Sequence, residues 1–411
     1  RRSRVSSYQV RLAGVPVATL VENIRGLLGV RPDAGYRGMS PRPILGQQFE
    51  DDLTRTRWGG RSGQLPAFLA NLLPESGGPL RAVIVRSLGL ENPSDPELLS
   101  ALGLDLPGAV EFVRVEDQVE IEPGPEPHLE PQLETARSQA LRFSLAGVQL
   151  KFSMVQEGDR LTFPASGLGG EWIVKIESTA YPGLVENEFA MLEWARAIGL
   201  NVPELMVVGP ESLESLRGLV SERPRGLAVR RYDRVGANKI HQEDFAQVFG
   251  WMPERKYDAK ADALLRVTAA ILGPSGYEEQ LRRLVFAIAI GNHDAHLKNW
   301  SLIYPDGWSP ALSPVYDQVA TVSWPFVDRE MALKLGSTRE PAQVDGALLR
   351  RVASQLGQDP ARAEHIAIAT VEAMRAAWPA ARDHLPFDHQ EAVIQHWNRV
   401  PLARAAGTLE T

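Results

Sequence analysis

The chain has 411 residues, of which 44% are hydrophobic and 23% charged, and its formal net charge is −7. This length suits two or three domains, and the negative charge argues against broad nucleic-acid binding by this chain alone. The sequence lacks cysteine, which excludes disulfides, thiolate zinc sites and cysteine nucleophiles. No apolar run approaches the ~20 residues of a membrane span, and the basic residues 1–7 precede no signal-peptide core. We therefore expect a cytoplasmic protein that does not bind a membrane.

The basic residues are strongly skewed toward arginine, since only seven of the 44 are lysines. Arginine replaces a surface lysine easily, but it replaces a lysine poorly where a compact ammonium must meet a phosphate. Each lysine is therefore informative. Three of them, Lys151, Lys175 and Lys298, fall inside the motifs described below.

Residues 1–110 are predicted to form a small N-terminal α+β subdomain. Alternating apolar positions over residues 8–20, with a turn near Ala13-Gly14, predict a β-hairpin. Short helices are predicted over residues 66–75, 80–88 and 96–102. A connection rich in proline and glutamate, residues 111–138, follows and is expected to be extended and exposed.

Residues 139–234 are predicted to form a strand-rich lobe. A turn of small residues followed by an alternating strand occupies residues 142–155. Such a turn lets backbone N–H groups approach a phosphate, although it is also typical of an ordinary turn between strands. Residues 171–177 are a predicted strand with Lys175 at its centre. Because burying an unpaired ammonium is costly, Lys175 either points to solvent from an edge strand or contacts nucleotide phosphates.

A helix predicted over residues 185–199 carries two candidate partners for the Lys175 ammonium. Glu188 borders the inner face of this helix and could pair with Lys175, and Glu186 is the alternative partner. Residues two positions apart on a helix cannot both face inward, so only one of them pairs with Lys175.

Further strands are predicted over residues 205–208, 218–221 and 227–234, the last of which runs into a connection between lobes. Residues 235–411 are predicted to be helical. The fold class is therefore α+β: a two-lobed protein-kinase-like fold with a strand-rich N-terminal lobe, which includes the extra N-terminal subdomain, and an all-helical C-terminal lobe.

The most informative stretch follows an apolar run, residues 284–290, that predicts a buried helix. Asp294 and Asn299 have the spacing of the kinase catalytic loop, where the Asp orients or deprotonates the attacking hydroxyl and the Asn holds Mg²⁺. With Asp317 they form an oxygen-rich set suited to Mg²⁺ and nucleotide phosphates. The order of these residues after Lys175 predicts a phosphoryl-transfer enzyme.

Motifs along nearly the whole chain occur in a specific order and spacing. They are Leu72-Leu73-Pro74-Glu75, the loop from Ser144 to Lys151, Val174-Lys175, residues 181–188, Arg231-Tyr232-Asp233-Arg234, residues 241–245, residues 291–299 and Tyr316-Asp317. In this order they resemble the HipA family of bacterial serine/threonine kinases, which are the toxin halves of toxin–antitoxin pairs.

The resemblance implies catalytic roles for Asp294, Asn299 and Lys175, with Asp294 placed to take the proton of the substrate hydroxyl. It implies that Asn299 and Asp317 hold Mg²⁺. The residues implied to bind ATP are Ser144, Leu145, Ala146, Gly147, Val148, Gln149, Lys151, Lys175, Glu188, Arg230, Tyr232, His296 and Lys298.

Arg230 and Tyr232 are expected to present hinge backbone groups to the adenine. Ser144 matches the serine that this family autophosphorylates, which removes activity because a dianion on the loop repels ATP. Leu150, Arg230 and His293 stand where an acidic residue, a glutamate and a threonine are common in the family. None of these departures removes a catalytic group, so we expect an active enzyme.

The resemblance also implies partners. The expected protein substrate is an aminoacyl-tRNA synthetase, such as glutamyl-tRNA synthetase, whose phosphorylation arrests translation. A small HipB-like antitoxin is expected to hold the kinase and to anchor it on operator DNA.

Two other functions fit parts of the sequence. A small-molecule phosphotransferase shares the Asp-to-Asn spacing and the two-lobed plan, but the N-terminal subdomain and the Ser144 loop favour a HipA-like kinase. A catalytically inactive co-repressor scaffold is disfavoured because Lys175, Asp294, Asn299 and Asp317 are all present.

Overall fold

The computed structural model describes residues 6–22, 28–50, 64–103, 105–115, 150–162, 170–218 and 220–410. The predicted loop from Ser144 to Gln149 and most of the predicted connection lie outside these residues. The structure has three units, two built on larger sheets and a third that is mainly helical. Their buried apolar side chains form separate clusters.

The N-terminal unit is a four-stranded antiparallel sheet in the order β3-β2-β1-β4, covered by short helices. Its elements are β1 (Ser6–Leu12), β2 (Val15–Glu22), β3 (Leu28–Pro32), α1 (Ala34–Gly38), α2 (Gln47–Glu50), α3 (Ala67–Ala70), α4 (Pro79–Ser87), α5 (Asp95–Leu102) and β4 (Val110–Val115). The predicted hairpin is confirmed, and Ala13 and Gly14 both have positive φ, as its tight turn requires. Strand β4 continues past residue 110, where the predicted subdomain ended.

The predicted helix over residues 66–75 is shorter than expected, because α3 ends at Ala70. The Asn71 side chain explains this end. Its Nδ2 donates to the Ala67 carbonyl at 2.8 Å, the same oxygen that accepts from its backbone N–H at 3.0 Å. A short amide side chain that competes for a helix carbonyl favours a turn over a further helical turn.

The second unit is a five-stranded antiparallel sheet in the order β6-β5-β7-β9-β8. Its elements are β5 (Lys151–Glu157), β6 (Arg160–Thr162), β7 (Trp172–Ile176), α6 (Leu184–Ala197), β8 (Leu205–Val208) and β9 (Gly226–Arg230), followed by a ribbon of β10 (Arg234–Val235) and β11 (Asn238–Lys239). The strand that carries Lys175 is central in the sheet, so the alternative of an edge-strand lysine pointing to solvent is wrong. Lys151 pairs directly with Lys175 across β5 and β7.

Two predicted strands of this unit need correction. Of the strand predicted over residues 218–221, the described residues Gly218, Val220 and Ser221 do not form an extended strand, because Gly218 has a φ of 75° and its N–H donates to the Ser221 carbonyl at 3.0 Å. The strand predicted over residues 227–234 ends at Arg230, and residues 231–233 turn inward because buried Asp233 accepts hydrogen bonds from Arg231 and Arg234.

The third unit is the helical lobe. Its helices are α7 (Phe245–Val248), α8 (Ala261–Ala289), α9 (Gly346–Gln355), α10 (Pro360–Ala376), α11 (Pro379–Arg382), α12 (Phe387–Arg399) and α13 (Pro401–Arg404). Helix α8 is broken at Gly273, which has a φ of 71° and precedes Pro274. Its last two turns contain the predicted apolar run, which is buried as expected. Among the helices described, none combines the length and the apolar character that crossing a bilayer requires.

The prediction that this lobe is all-helical is wrong in one respect, since it also holds a three-stranded sheet. Its strands are β12 (His241–Asp244), β13 (Ser301–Tyr304) and β14 (Ala311–Leu312), in that order. These strands are only two to four residues long, too short for a clear alternating pattern in the sequence. The sheet matters for the site because β13 begins directly after the loop that carries Asp294 and β14 leads into Asp317.

Candidate active site

A buried ion cluster joins the two lobes. The Lys175 ammonium on β7 contacts the carboxylates of Glu188 on α6 and Asp317 on the loop after β14. The Lys175 and Glu188 side chains are 6% and 2% exposed. Because both carboxylates compensate the buried ammonium, the desolvation cost that a lone lysine would carry is offset.

This contact shows which of the two candidate glutamates on α6 pairs with Lys175. Glu188 faces the ammonium, whereas Glu186 lies on another side of α6 and pairs with Arg225. Two residues on a helix that are two positions apart point in nearly opposite directions, which is why only one of them reaches Lys175.

The protonation states of this cluster follow from burial and charge. Burial by itself would lower the pKa of Lys175, but Asp317 and Glu188 raise it above its ordinary value. Burial by itself would raise the pKa of Asp317, but Lys151 and Lys175 lower it well below the usual range. The Lys151 ammonium lies 3.4 Å from Asp317 Oδ2. Lys175 is therefore a cation and Asp317 an anion at neutral pH.

Asp317 is held in an uncommon backbone conformation. Its φ is 51°, in the left-handed region that a residue with a side chain adopts at a cost of ~1–3 kcal/mol. Asn292 contributes to this geometry, because its Nδ2 donates to the Asp317 carbonyl at 3.2 Å. The Asp317 side chain is 25% exposed, so it remains partly accessible to solvent although two lysines contact its carboxylate.

The loop that carries Asp294 begins at the end of α8. Gly291 makes the exit possible, since its φ is 74° and a Cβ there would lie 2.5 Å from a Val322 methyl. Asn292 Oδ1 accepts from the Asp294 backbone N–H at 3.2 Å, and the Asn299 Nδ2 donates to the Asp294 carbonyl at 3.0 Å. The loop therefore holds Asp294 from both sides.

The Asp294 carboxylate itself has a partner that sequence reasoning missed. The Tyr257 hydroxyl, which precedes α8, donates to Asp294 Oδ1 at 2.6 Å. A hydrogen bond to one carboxylate oxygen orients the group, as a residue that accepts the proton of a substrate hydroxyl requires. The sequence gives little indication of this contact, because no motif surrounds Lys256 and Tyr257 before the helix.

Two further predicted ATP-binding residues lie in the same loop. His296 is buried, and burial together with nearby Lys256 and Lys298 lowers its pKa, so the ring is neutral. Neither of its ring nitrogens has a hydrogen-bond partner among the residues that the structure describes. The Lys298 ammonium instead donates to Asn71 and Asp244 at 2.8–2.9 Å. The role of Lys298 in ATP binding stays a prediction, and in the structure its ammonium is bound to these protein groups.

The predicted hinge lies at the end of β9. The Arg230 backbone N–H donates to the Glu204 carbonyl at 2.9 Å, so only its carbonyl could meet an adenine. The Arg230 side chain is exposed and pairs with Glu171 and Glu204. The Tyr232 ring lies 5.9 Å from the Tyr316 ring, next to Asp317. The hinge and the ion cluster are thus adjacent. Of the predicted loop, Ser144 to Gln149 lie outside the described residues.

The chemistry of the donor set fits Mg²⁺. Asp317 offers a carboxylate and Asn299 an amide oxygen, and the bond from Asn299 Nδ2 to the Asp294 carbonyl establishes which end of that amide is oxygen. Mg²⁺ is held by one or two such oxygens together with waters and substrate phosphates. A cage of three or more acidic or histidine side chains is absent from the described residues, and such a cage is not required at a nucleotide-dependent Mg²⁺ site.

Comparison with known proteins identifies the relatives of this chain. Residues 8–113 match the family described as HipA N-terminal domain, and residues 143–378 match the HipA-like C-terminal domain. Y4dM of Sinorhizobium fredii, whose name proposes a kinase activity, is 40% identical over 93% of this chain and 94% of its own length. The serine/threonine-protein kinase toxin HipA of Shewanella oneidensis is 27% identical over 69% of this chain and 70% of its own length.

A solved structure has the same fold. HipA in the Shewanella oneidensis MR-1 complex of HipA, HipB and operator DNA superimposes with a TM-score of 0.73 at 22% identity, covering 97% of this chain and 96% of that one. Both family matches, in the same order along the chain, and the 40% identity to a relative over almost its full length establish the relationship. The chain belongs to the HipA family of kinases.

Proposed function

We propose that this chain is a toxin of the HipA type: an ATP- and Mg²⁺-dependent serine/threonine protein kinase that modifies a cellular protein and arrests growth. The observation that carries the proposal is the Lys175 ion cluster, in which one ammonium bridges Glu188 on α6 and Asp317 after β14. A kinase needs this lysine–glutamate pair and the metal-binding aspartate in place at the same time. Here one cluster brings together the residues that we propose for both roles.

Each residue of the site has a defined task in phosphoryl transfer. Lys175 and Lys151 provide positive charge for the phosphates of ATP. Asp294, oriented by Tyr257, takes the proton of the substrate hydroxyl as that oxygen bonds to the γ-phosphorus and the bond to the ADP oxygen breaks. When bound by Asn299 and Asp317, Mg²⁺ neutralises the charge of the transferred group. Positioning and electrostatics account for most of the rate in such a transfer.

We further propose the regulation and partners that the family suggests. Autophosphorylation of Ser144 would place about two negative charges on the loop that is proposed to bind ATP and so repel ATP. A HipB-like antitoxin would hold the kinase on operator DNA, and the solved HipA–HipB–DNA complex of a relative supports this assignment. The protein substrate is proposed to be an aminoacyl-tRNA synthetase, such as glutamyl-tRNA synthetase.

Incubation of the purified chain with radiolabelled ATP and Mg²⁺ tests the proposal. We expect label on the chain itself at Ser144, located by mass spectrometry, and on purified glutamyl-tRNA synthetase. The Asp294→Asn variant is the matched control and should incorporate neither. Transfer of label only to small-molecule acceptors would refute the protein-kinase proposal, and comparison of phosphoproteomes after brief induction of the two forms would identify the cellular substrate.

A further inference from the structure

A short segment of the N-terminal unit, Asn71-Leu72-Leu73-Pro74-Glu75, follows α3 and contacts the helical lobe at and beside the loop of residues 291–299, here called the catalytic loop. Both polar ends of this segment bind a lysine of the helical lobe. Each of these lysines is the sequence neighbour of an active-site residue. Lys298 precedes Asn299, and Lys256 precedes Tyr257.

The first contact is at Asn71, which is 6% exposed. Its carbonyl and its Oδ1 each accept from the Lys298 ammonium at 2.9 Å, and Asp244 accepts the third hydrogen bond at 2.8 Å. The Asn71 Nδ2 donates to the carbonyls of Ala67 and Trp251 at 2.8 Å, so the amide cannot turn without losing bonds. Lys298 is thereby held by a rigid partner from another unit.

The second contact is at Glu75. Its carboxylate pairs with the Lys256 ammonium, whose side chain is only 6% exposed. The Lys256 carbonyl accepts from the Leu297 N–H of the catalytic loop at 3.1 Å, and the next residue, Tyr257, donates to Asp294. A buried ammonium without an anion is costly, so Glu75 determines where the Lys256–Tyr257 backbone lies.

The two contacts therefore hold both sides of Asp294. Lys298 lies within the loop next to Asn299, and its carbonyl also accepts from the Tyr316 hydroxyl at 2.9 Å, beside Asp317. Lys256 holds the loop through Leu297 and the Asp294 carboxylate through Tyr257. A site tolerates only small displacements of its reacting groups before the rate falls.

We propose that the segment from Asn71 to Glu75 positions the catalytic loop, so that the N-terminal unit contributes to the geometry of the active site. Asn71 and Glu75 are positioning residues that act through Lys298 and Lys256. The inference rests on the proposed kinase function. Its consequence is that loss of these contacts lowers turnover more than ATP affinity, because the phosphate-binding Lys175 and the hinge contact other elements.

The test is a double-mutant cycle in the full chain with Glu75→Gln, Lys256→Met and the combination, measured as ATP-dependent transfer to protein. Glu75→Gln keeps the shape of a side chain that is 37% exposed, so folding should persist, and thermal unfolding checks this. We expect kcat to fall roughly tenfold with the KM for ATP within about twofold. The double variant should be no slower than Lys256→Met, because Glu75 acts through that lysine.

The matched control is Glu111→Gln. Glu111 also belongs to the N-terminal unit and pairs with Lys239 of the second unit at 3.0 Å, with both side chains 19% exposed, but this pair is far in sequence from the catalytic loop. We expect its kcat to match that of the unmodified chain. Equal kcat in the Glu75→Gln and unmodified chains, or equal losses in Glu75→Gln and Glu111→Gln, would overturn the inference while leaving the kinase proposal intact. Absence of transfer by the unmodified chain would refute the kinase proposal itself and with it this inference.

Discussion

The hydrogen bond from Tyr257 to Asp294 offers a sharp test of the site, because Tyr257→Phe removes one hydroxyl and little else. The bond is 2.6 Å long, and its acceptor is the carboxylate of Asp294, a residue that is only 8% exposed. Hydrogen bonds to charged groups contribute ~1.5–3 kcal/mol. If the bond orients Asp294 for proton transfer, the same energy appears in the activation barrier, which corresponds to a ~10- to 150-fold loss in kcat.

The assay is steady-state phosphorylation of a protein acceptor at saturating ATP. The edge-on packing of the Tyr257 ring against His296, with 5.1 Å between centroids, should survive in the phenylalanine variant, so folding stability should change little. The KM for ATP should also stay within about twofold, because the hydroxyl contacts the base and not the phosphate-binding lysines.

A second tyrosine provides the control for loss of a buried hydroxyl. The Tyr8 hydroxyl in the N-terminal unit is buried and has no hydrogen-bond partner among the described residues. Tyr8→Phe should therefore leave both kcat and stability nearly unchanged. A kcat for Tyr257→Phe within twofold of the unmodified chain would mean that this bond does not position the catalytic base.

Three other predictions concern the rest of the site and the boundary between units. Asp294→Asn and Asp317→Asn should each lower transfer ~10³-fold or more, measured by label incorporation, since each removes a carboxylate that acts in the transition state; rates within tenfold of the unmodified chain would contradict the assigned roles. Ser144→Ala should lose self-labelling and keep transfer to an added protein substrate, and loss of both would contradict a purely regulatory role. Burial raises the pKa of Glu243 to about 8. Between the pKa of a free glutamate and pH 8, the folded state therefore holds a proton that the unfolded state has released. The free energy of unfolding should fall by up to ~1.4 kcal/mol per pH unit as the pH rises toward 8. Denaturation by urea at pH 5 and pH 8 measures this, and an unchanged slope in Glu243→Gln would show that another group is responsible.

Much of the candidate site could be proposed from the sequence because its motifs are local. The spacing of Asp294 and Asn299 lies within one loop, and Asp317 follows closely. The flanking apolar run and the strand around Lys175 have the periodicity of the elements that they form. Short-range patterns of this kind survive in the sequence because side-chain direction repeats within a single helix or strand.

Other features were beyond sequence reasoning because they depend on long-range packing. The assignment of Glu188 rather than Glu186 to Lys175 required the actual rotation of α6 against the sheet. The small sheet of the helical lobe has strands too short to predict, although β13 and β14 position the two acidic loops. Lys298 is predicted to meet ATP from the family resemblance, and its contact with Asn71 appears only in three dimensions.

The sequence alone therefore determined the reaction class, since lysine, aspartate and asparagine at these spacings are the chemistry of phosphoryl transfer. Only the tertiary structure decided which groups support that chemistry. Tyr257 is 37 positions from Asp294, and Asn71 is 227 positions from Lys298. Contacts between residues so far apart depend on how whole units pack, and no local periodicity records them.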